Sequence, residues 1–325
     1  MPHHSELVEI PGTEIKLSRY SLGTAPLSGL FKKVSEQESD HVVQCALSSG
    51  MNYFDTAPLY GSGVGETRLG RILSQTSKPF VISTKVGRVL TAGRNPEATK
   101  WPDSDPEIRA EFDYTPDGIK RSLEESLIRL NLDHVDIVYI HEPDDLVTEA
   151  VEVVFPVLYD LRRQGIIKAI GIGINNCAPA VEIMSAVDLD VVLIAGRFTL
   201  LDQSAQQELL PIALKTGVAI VAAGVYNSGI LANPIPGAHF DYEPASAEIL
   251  HRAEKIRDFL KENGLPLTAV ALQFPLRHPA VVSVLNGSAN LDEIESNIAN
   301  FDLPLPSDLW EKMEGAGLIE PILSL

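Results

Sequence analysis

Apolar residues occur in short continuous runs, separated by stretches where they recur every three or four positions. The runs suit buried strands, and the spaced positions suit helices with one apolar face. The first predicted strand is Tyr20-Ser21-Leu22-Gly23-Thr24. Residues 36–49 then place Val42, Val43, Ala46 and Leu47 on one helix face. Residues 51–55 read as a second strand, followed by a Pro- and Gly-rich loop. A helix is predicted to start near Glu66, with Leu69, Ile72 and Leu73 inward. Residues 80–85 form the third strand. Thr115-Pro116 then opens a helix, with Thr as N-cap and Pro at the first helical position. Ile119, Leu123, Leu127 and Leu130 make its apolar face. Four more strands are predicted over 136–141, 167–172, 191–195 and 218–223. Helices over 154–163 and 205–215 precede the fifth and seventh of these strands. Helices over 247–263 and 267–277 lead to an eighth strand, 281–285.

Eight apolar strands, most followed by a helix, imply parallel pairing with both faces covered. Eight is the number that closes an α/β (β/α)8 TIM barrel, and the chain of 325 residues reads as one such domain over 1–325. The one long irregular stretch, Gly87 to Tyr114, carries Arg88, Arg94 and Trp101 and reads as a lid or binding loop. A doubly wound open sheet would carry a dinucleotide fingerprint. Gly61-Ser62-Gly63-Val64-Gly65-Glu66 begins as one, but Glu66 replaces its last glycine and would repel a pyrophosphate. A glycine-rich turn is the better reading.

Composition narrows the function classes. Hydrophobic residues at 45% suffice for a full core. The 26 basic and 44 acidic residues leave a net charge of −18, against an electrostatic grip on nucleic acid or an anionic membrane. Cys45 and Cys177 make neither a metal spacing nor a disulfide framework, so no metal is expected. No apolar run is long enough to span a membrane, and the start Met1-Pro2-His3-His4-Ser5-Glu6 has no secretory pattern. A cytoplasmic protein acting on a small-molecule substrate is the expectation. Nothing in the residues signals an oligomeric state.

In a parallel barrel, chemistry gathers at the C-terminal ends of the strands. There the pattern puts Asp55, Lys85 and His141 on consecutive strands, with Tyr60 in the loop after Asp55. Each has a plain alternative: a cap, a surface lysine, a satisfied core histidine, a packed phenol. Together they form an acid–base set. A lysine beside a phenol favours the phenolate, a carboxylate orients the lysine, and an imidazole donates to a substrate oxygen. Proton transfer at oxygen with neither nucleophile nor metal suits carbonyl–alcohol redox with a hydride-carrying cofactor.

On these residues the chain resembles the aldo-keto reductases, NAD(P)-dependent (β/α)8 oxidoreductases with an Asp-Tyr-Lys-His tetrad. The matching residues are Asp55, Tyr60, Lys85 and His141. The stretches NYFDTAPLYGSGVGE, YIHEPDD, AGRFTLLDQ and YNSGIL are similar to bacterial aldose 1-dehydrogenases, and some pyridoxal 4-dehydrogenases are similar. The resemblance implies oxidation of an aldose at its anomeric carbon to a lactone. Reduction of small aldehydes, oxidation of pyridoxal, or a non-catalytic channel subunit are the alternatives it allows. It implies cofactor contacts at Gly23, Thr24, Asp55, Asn175, Ser228, Gly229, Leu231, Gly287, Ser288, Asn290, Glu293 and Asn297. Asn175 stands for the carboxamide contact. The tyrosine that many members place after the seventh strand to stack on the nicotinamide is replaced near Ala223. Relatives that prefer NADP carry Arg or Lys after the eighth strand. Here Ala289 and Asn290 stand there, followed by Asp292, Glu293 and Glu295, so NAD is expected over NADP.

Overall fold

The computed structural model describes residues 2–323. An N-terminal hairpin, β1 (Leu7–Glu9) and β2 (Lys16–Ser18), comes first. The chain then runs β3 (Tyr20–Gly23), α1 (Glu36–Ser49), β4 (Tyr53–Asp55), α2 (Val64–Leu73) and β5 (Val81–Val86). A second hairpin follows, β6 (Arg88–Ala92) with β7 (Ile108–Phe112), and then α3 (Pro116–Leu130) and β8 (Ile137–His141). The next elements are α4 (Val147–Glu149), α5 (Phe155–Arg163), β9 (Ala169–Ile174), α6 (Cys177–Ala186), β10 (Val191–Ala195), α7 (Leu209–Thr216) and β11 (Ala219–Ala223). A third small hairpin, β12 (His239–Phe240) and β13 (Glu243–Pro244), precedes α8 (Ala247–Glu262) and α9 (Leu267–Gln273). Last come β14 (Val281–Gly287), α10 (Leu291–Phe301) and α11 (Leu309–Gly315).

Strands β3, β4, β5, β8, β9, β10, β11 and β14 close in chain order into an all-parallel barrel. The expected (β/α)8 architecture is therefore present, with its eight strands where the apolar runs lie. The main core lies between strands and helices, with Phe54, Ile82, Val138, Ile140, Ile172 and Val192 facing outward from the strands. A smaller cluster fills the barrel itself, and Ile10, Ile15 and Leu17 from the N-terminal hairpin plug its lower end.

Several expected boundaries move. The fifth barrel strand runs to Ile174, so Gly173 and Ile174 belong to it instead of following it. Gly171 lets β9 pass beside Tyr139, because a Cβ there would lie 2.3 Å from the Val191 carbonyl and 2.7 Å from the Tyr139 ring. The helix expected over 205–215 splits into a 3-10 turn, Ser204–Gln206, and α7. The one expected over 267–277 tightens into a 3-10 turn from Phe274, where Pro275 follows. Residues 87–114 are not irregular throughout, because β6 and β7 pair in five-residue register from Arg88↔Phe112 to Ala92↔Ile108.

The glycine-rich stretch is a structural turn, as its sequence suggested. Gly61 and Gly63 have positive φ, and a Cβ on Gly65 would come within 2.3 Å of Ser28 Oγ. Glu66 at the start of α2 is fully buried. It accepts from Arg129 Nε at 2.6 Å and from Thr84 Oγ1 at 2.7 Å, a buried ion pair joining α2, α3 and β5.

Candidate active site

Strand alternation builds the site in two layers. Side chains two apart on a strand share a face. Tyr53 and Asp55 on β4, Ser83 and Lys85 on β5, and Tyr139 and His141 on β8 are three such pairs. The ladder sets Asp55 opposite Ser83 and Lys85 opposite Tyr139. In the lower layer the Tyr53 hydroxyl lies 2.9 Å from both Ser83 Oγ and the Tyr139 hydroxyl. Ser83 then donates upward to Asp55 Oδ1 at 2.7 Å. In the upper layer Lys85 Nζ donates to Asp55 Oδ2 at 2.6 Å and to the Thr56 carbonyl at 2.9 Å. Asp55 and Lys85 are 1% and 2% exposed, so each charge depends on the other for its place in the barrel.

The glycine-rich turn carries Tyr60 back over this pair. Lys85 Nζ lies 4.6 Å from the centre of its ring. His141 meets the ring edge-on at 5.8 Å, and Trp101 stacks on it at 5.8 Å. All four predicted residues therefore meet at one rim, and Tyr60 alone of them is partly exposed.

The electrostatics correct one expectation. Burial, then Asp55 and, to a lesser degree, Tyr242 and Glu142, push the Tyr60 phenol well above its ordinary value. Lys85 was expected to lower it, but its ammonium is tied to Asp55, and the pair presents little net charge. The resting phenol is thus protonated and poised as a donor. Burial pushes the His141 imidazole down to about 3, so it is neutral at physiological pH. Among the described residues its buried Nδ1 has no partner. An orphan lone pair is better tolerated than an orphan N–H, which places the proton on Nε2. His141 can therefore donate one neutral hydrogen bond.

Glu142 follows His141 with φ at +52°. That turn aims its carboxylate at Arg88 Nη2, 2.6 Å away, and at Asn175 Nδ2, 3.2 Å away. Burial pushes this carboxyl up, but the charges and hydrogen bonds around it, Arg88 and Asn175 among them, outweigh that and hold it below its ordinary value. With His141 neutral, Arg88 is the cation that keeps Glu142 ionised.

The cofactor positions expected from the resemblance fall into two groups. Gly23, Gly287 and Asp55 lie side by side, because β14 pairs Gly287 with Gly23 and β3 pairs Gly23 with Asp55. A Cβ on Gly287 would lie 2.5 Å from Pro26, so glycine lets the loop after β3 close against β14. At the start of α10, Asn290 caps through the Glu293 amide at 2.9 Å, and Glu293 folds back onto Ala289 N–H at 2.7 Å. Asn290 Nδ2 also reaches Glu293 at 2.8 Å. Ser228 has φ of +59° and accepts from the Tyr242 amide at 2.9 Å. Gly229, beside it, has φ of +98° and faces open space.

The others are turned inward. Thr24 is fully buried with its Oγ1 unpartnered beside Gly65, leaving only backbone to offer. Leu231 is a core side chain. Ser288 Oγ accepts from Asn297 Nδ2 at 3.2 Å, and Asn297 Oδ1 accepts from the Tyr226 hydroxyl at 2.8 Å. Asn175 gives its amide to Glu142.

Residues missed in sequence include Tyr53 and Ser83, for which the signal was strand alternation: each lies two positions before a predicted site residue, Asp55 and Lys85. Phe31, Trp101 and Tyr242 come from three separate loops toward this rim, and no local pattern reveals their convergence.

Comparisons with known proteins bear on the family and the fold. The sequence profile of the Aldo/keto reductase family matches residues 19–317. A pyridoxal 4-dehydrogenase of Microbacterium luteolum is 39% identical, covering 97% of this chain and 98% of its own. A D-threo-aldose 1-dehydrogenase of a Pseudomonas species is 37% identical over 91% of this chain and 93% of its own. The holo form of an aldo-keto reductase from Bacillus halodurans superposes with a TM-score of 0.76 at 22% identity, covering 98% and 97% of the two chains.

Proposed function

Because this chain belongs to the aldo/keto reductase family, we propose that it is an NAD-dependent dehydrogenase that oxidises the anomeric carbon of an aldose to a lactone. The family's oxidoreductases use nicotinamide cofactors. The observation that carries the reading is the Asp55–Lys85 pair lying under the Tyr60 ring with His141 at its edge. The backbone around Gly23 and Gly287, the start of α10, and the turn at Ser228–Gly229 would hold the cofactor. The small residues and capped helix there fit an extended dinucleotide.

An aldose in water is mostly a cyclic hemiacetal with a hydroxyl on its anomeric carbon. His141 Nε2–H holds that oxygen by a hydrogen bond. Tyr60, once ionised, takes the hydroxyl proton as the carbon–oxygen bond gains double-bond character. A bound nicotinamide would supply the hydride acceptor for that same carbon. Lys85 supports the phenolate as it forms, and Asp55 keeps Lys85 charged and in place. Trp101, stacked on Tyr60, gives the ring's apolar face a wall. The enzyme's substrates are small molecules. Among the described residues no helix is long and apolar enough to cross a membrane.

A second reading, oxidation of pyridoxal, has a specific support. Pyridoxal also forms an internal hemiacetal, and the 39% identical relative is a pyridoxal 4-dehydrogenase. NADH formation followed with L-fucose, L-galactose, D-arabinose and pyridoxal separates the two. Turnover of sugars is the expected result. Turnover of pyridoxal alone transfers the assignment to the second reading. Cofactor binding without turnover of any aldehyde or sugar leaves a regulatory barrel.

A further inference from the structure

A group of potential metal ligands lies at the opposite end of the barrel from the tetrad. His3 and His4 are adjacent near the N-terminus, Asp302 lies 298 residues beyond His4, and the spacing of ligand-type residues gave no sign of a metal site. The fold joins them, with their ligand atoms all within 4.8 Å of one another. His4 Nδ1 is 2.6 Å from Asp302 Oδ2, and His3 Nε2 is 3.5 Å from the same oxygen.

Three features make this a prepared site. His4 is 7% exposed, and its Nε2 lies 2.9 Å from the Ser49 carbonyl. That carbonyl can only accept, so Nε2 carries a proton and donates to it, and in the neutral imidazole the Nδ1 lone pair then faces the carboxylate. Two electron-rich atoms so placed need a proton or a metal ion between them, and a carbonyl on the far nitrogen is the usual support of a metal-bound imidazole. Asp302 is anchored independently, because its Oδ1 accepts from the His4 backbone N–H at 2.7 Å. The third feature is the field. Ser49 ends α1 and Asp302 caps the end of α10, so two helix C-termini converge here, and such ends favour a cation.

We propose that His3 Nε2, His4 Nδ1 and Asp302 Oδ2 bind one divalent transition-metal ion, of the zinc type, with water completing the shell. Two imidazoles and a carboxylate are borderline ligands of the kind zinc accepts. Metal–ligand bonds of ~2.0–2.1 Å in a tetrahedron set ligand atoms about 3.3 Å apart. The 3.5 Å pair already meets this, and the 2.6 Å pair opens by a small turn of the carboxylate. The ion clips the N-terminal segment to the ends of α1 and α10. The site is far from the reacting groups and is independent of the proposed activity.

The test uses chelator-treated full-length protein without a polyhistidine tag. Zinc is titrated calorimetrically, and cobalt(II) is added in parallel to read its visible absorption. The expected result is one zinc per chain, a four-coordinate cobalt spectrum, and a rise in Tm with zinc. His3→Ala and Asp302→Asn should each weaken binding about ten- to a hundredfold and abolish the Tm rise, on the scale of losing a shell residue. The His3 ring is mostly exposed, so that variant keeps its fold. No saturable binding by the wild type, or unchanged affinity in His3→Ala, overturns the proposal.

Discussion

At the scale of single residues, the site is a dry ion pair wearing a phenol. Tyr60→Phe keeps the ring between Trp101 and His141 and removes only the transferable proton. Turnover should fall by at least the ~10²–10⁴-fold typical of one acid–base group. Near-wild-type turnover with hydride transfer limiting the rate would show that another group does the work. The pH dependence follows from the directions already given. The phenol is held above its ordinary value, so in the oxidative direction the rate rises with pH as the phenolate forms. Lys85→Met removes the cation that balances Asp55 and leaves a carboxylate beside the phenol. The rise should therefore move to still higher pH and the rate should drop. An unchanged profile in that variant contradicts the coupling. On the acid side, His141 is neutral down to about 3, so kcat/KM should show no step in the usual imidazole range near ~6.5. Much of this was legible in sequence. The ends of consecutive predicted strands located Asp55, Lys85 and His141, but the sign of the Tyr60 shift was not legible. It depends on Lys85 being 2.6 Å from Asp55 and on how far the fold withdraws the phenol from water, neither of which a linear pattern contains.

At the scale of elements, the barrel was readable wherever an apolar run was long enough to be buried on both sides. β8, β10 and β11 are such runs. The N-terminal hairpin was not, because β1 and β2 have only three residues each and plug the barrel through Ile10, Ile15 and Leu17. The β6–β7 hairpin was missed for another reason. Its halves are separated by a long Pro-rich connection, so no turn signal links them. The glycine-rich turn was read correctly, but the role of Glu66 was not. It is no mere misfit in a phosphate loop. It is the buried carboxylate that ties α2 to α3 through Arg129. Among the described residues, Arg129→Met leaves that carboxylate with the Thr84 hydroxyl as its hydrogen-bond partner in the fold's interior, which should cost about 3 kcal/mol of stability in urea unfolding. Adding Glu66→Gln should recover most of the loss. A single variant as stable as the wild type would mean that water reaches Glu66.

At the scale of the whole molecule, the choice of cofactor brings the local site and the global charge together. The chain carries −18 at neutral pH, so a 2′-phosphate approaches against the average field. That field is screened beyond about 8–10 Å at ordinary ionic strength and cannot alone decide the preference. With the cofactor placed as proposed, the start of α10 would decide it. Residues 286–297 contain neither Lys nor Arg. The anion site that a helix N-terminus offers is already served from within, because the Glu293 carboxylate bonds Ala289 N–H and Asn290 Nδ2. A phosphate arriving there meets a carboxylate, whereas a ribose hydroxyl can donate to it, as acidic residues do in NAD sites. One missing charge-assisted contact is worth roughly 1.5–3 kcal/mol, about ten- to a hundredfold. We therefore predict kcat/KM for NAD above that for NADP by about that factor on one good substrate. The preference should persist at high salt, because its source is a contact and not the distant field. Glu293→Gln should narrow it, and Ala289→Arg should narrow it further by supplying the missing cation. Equal use of the two cofactors by the wild type, or a preference that vanishes on adding salt, would show that α10 does not set the choice.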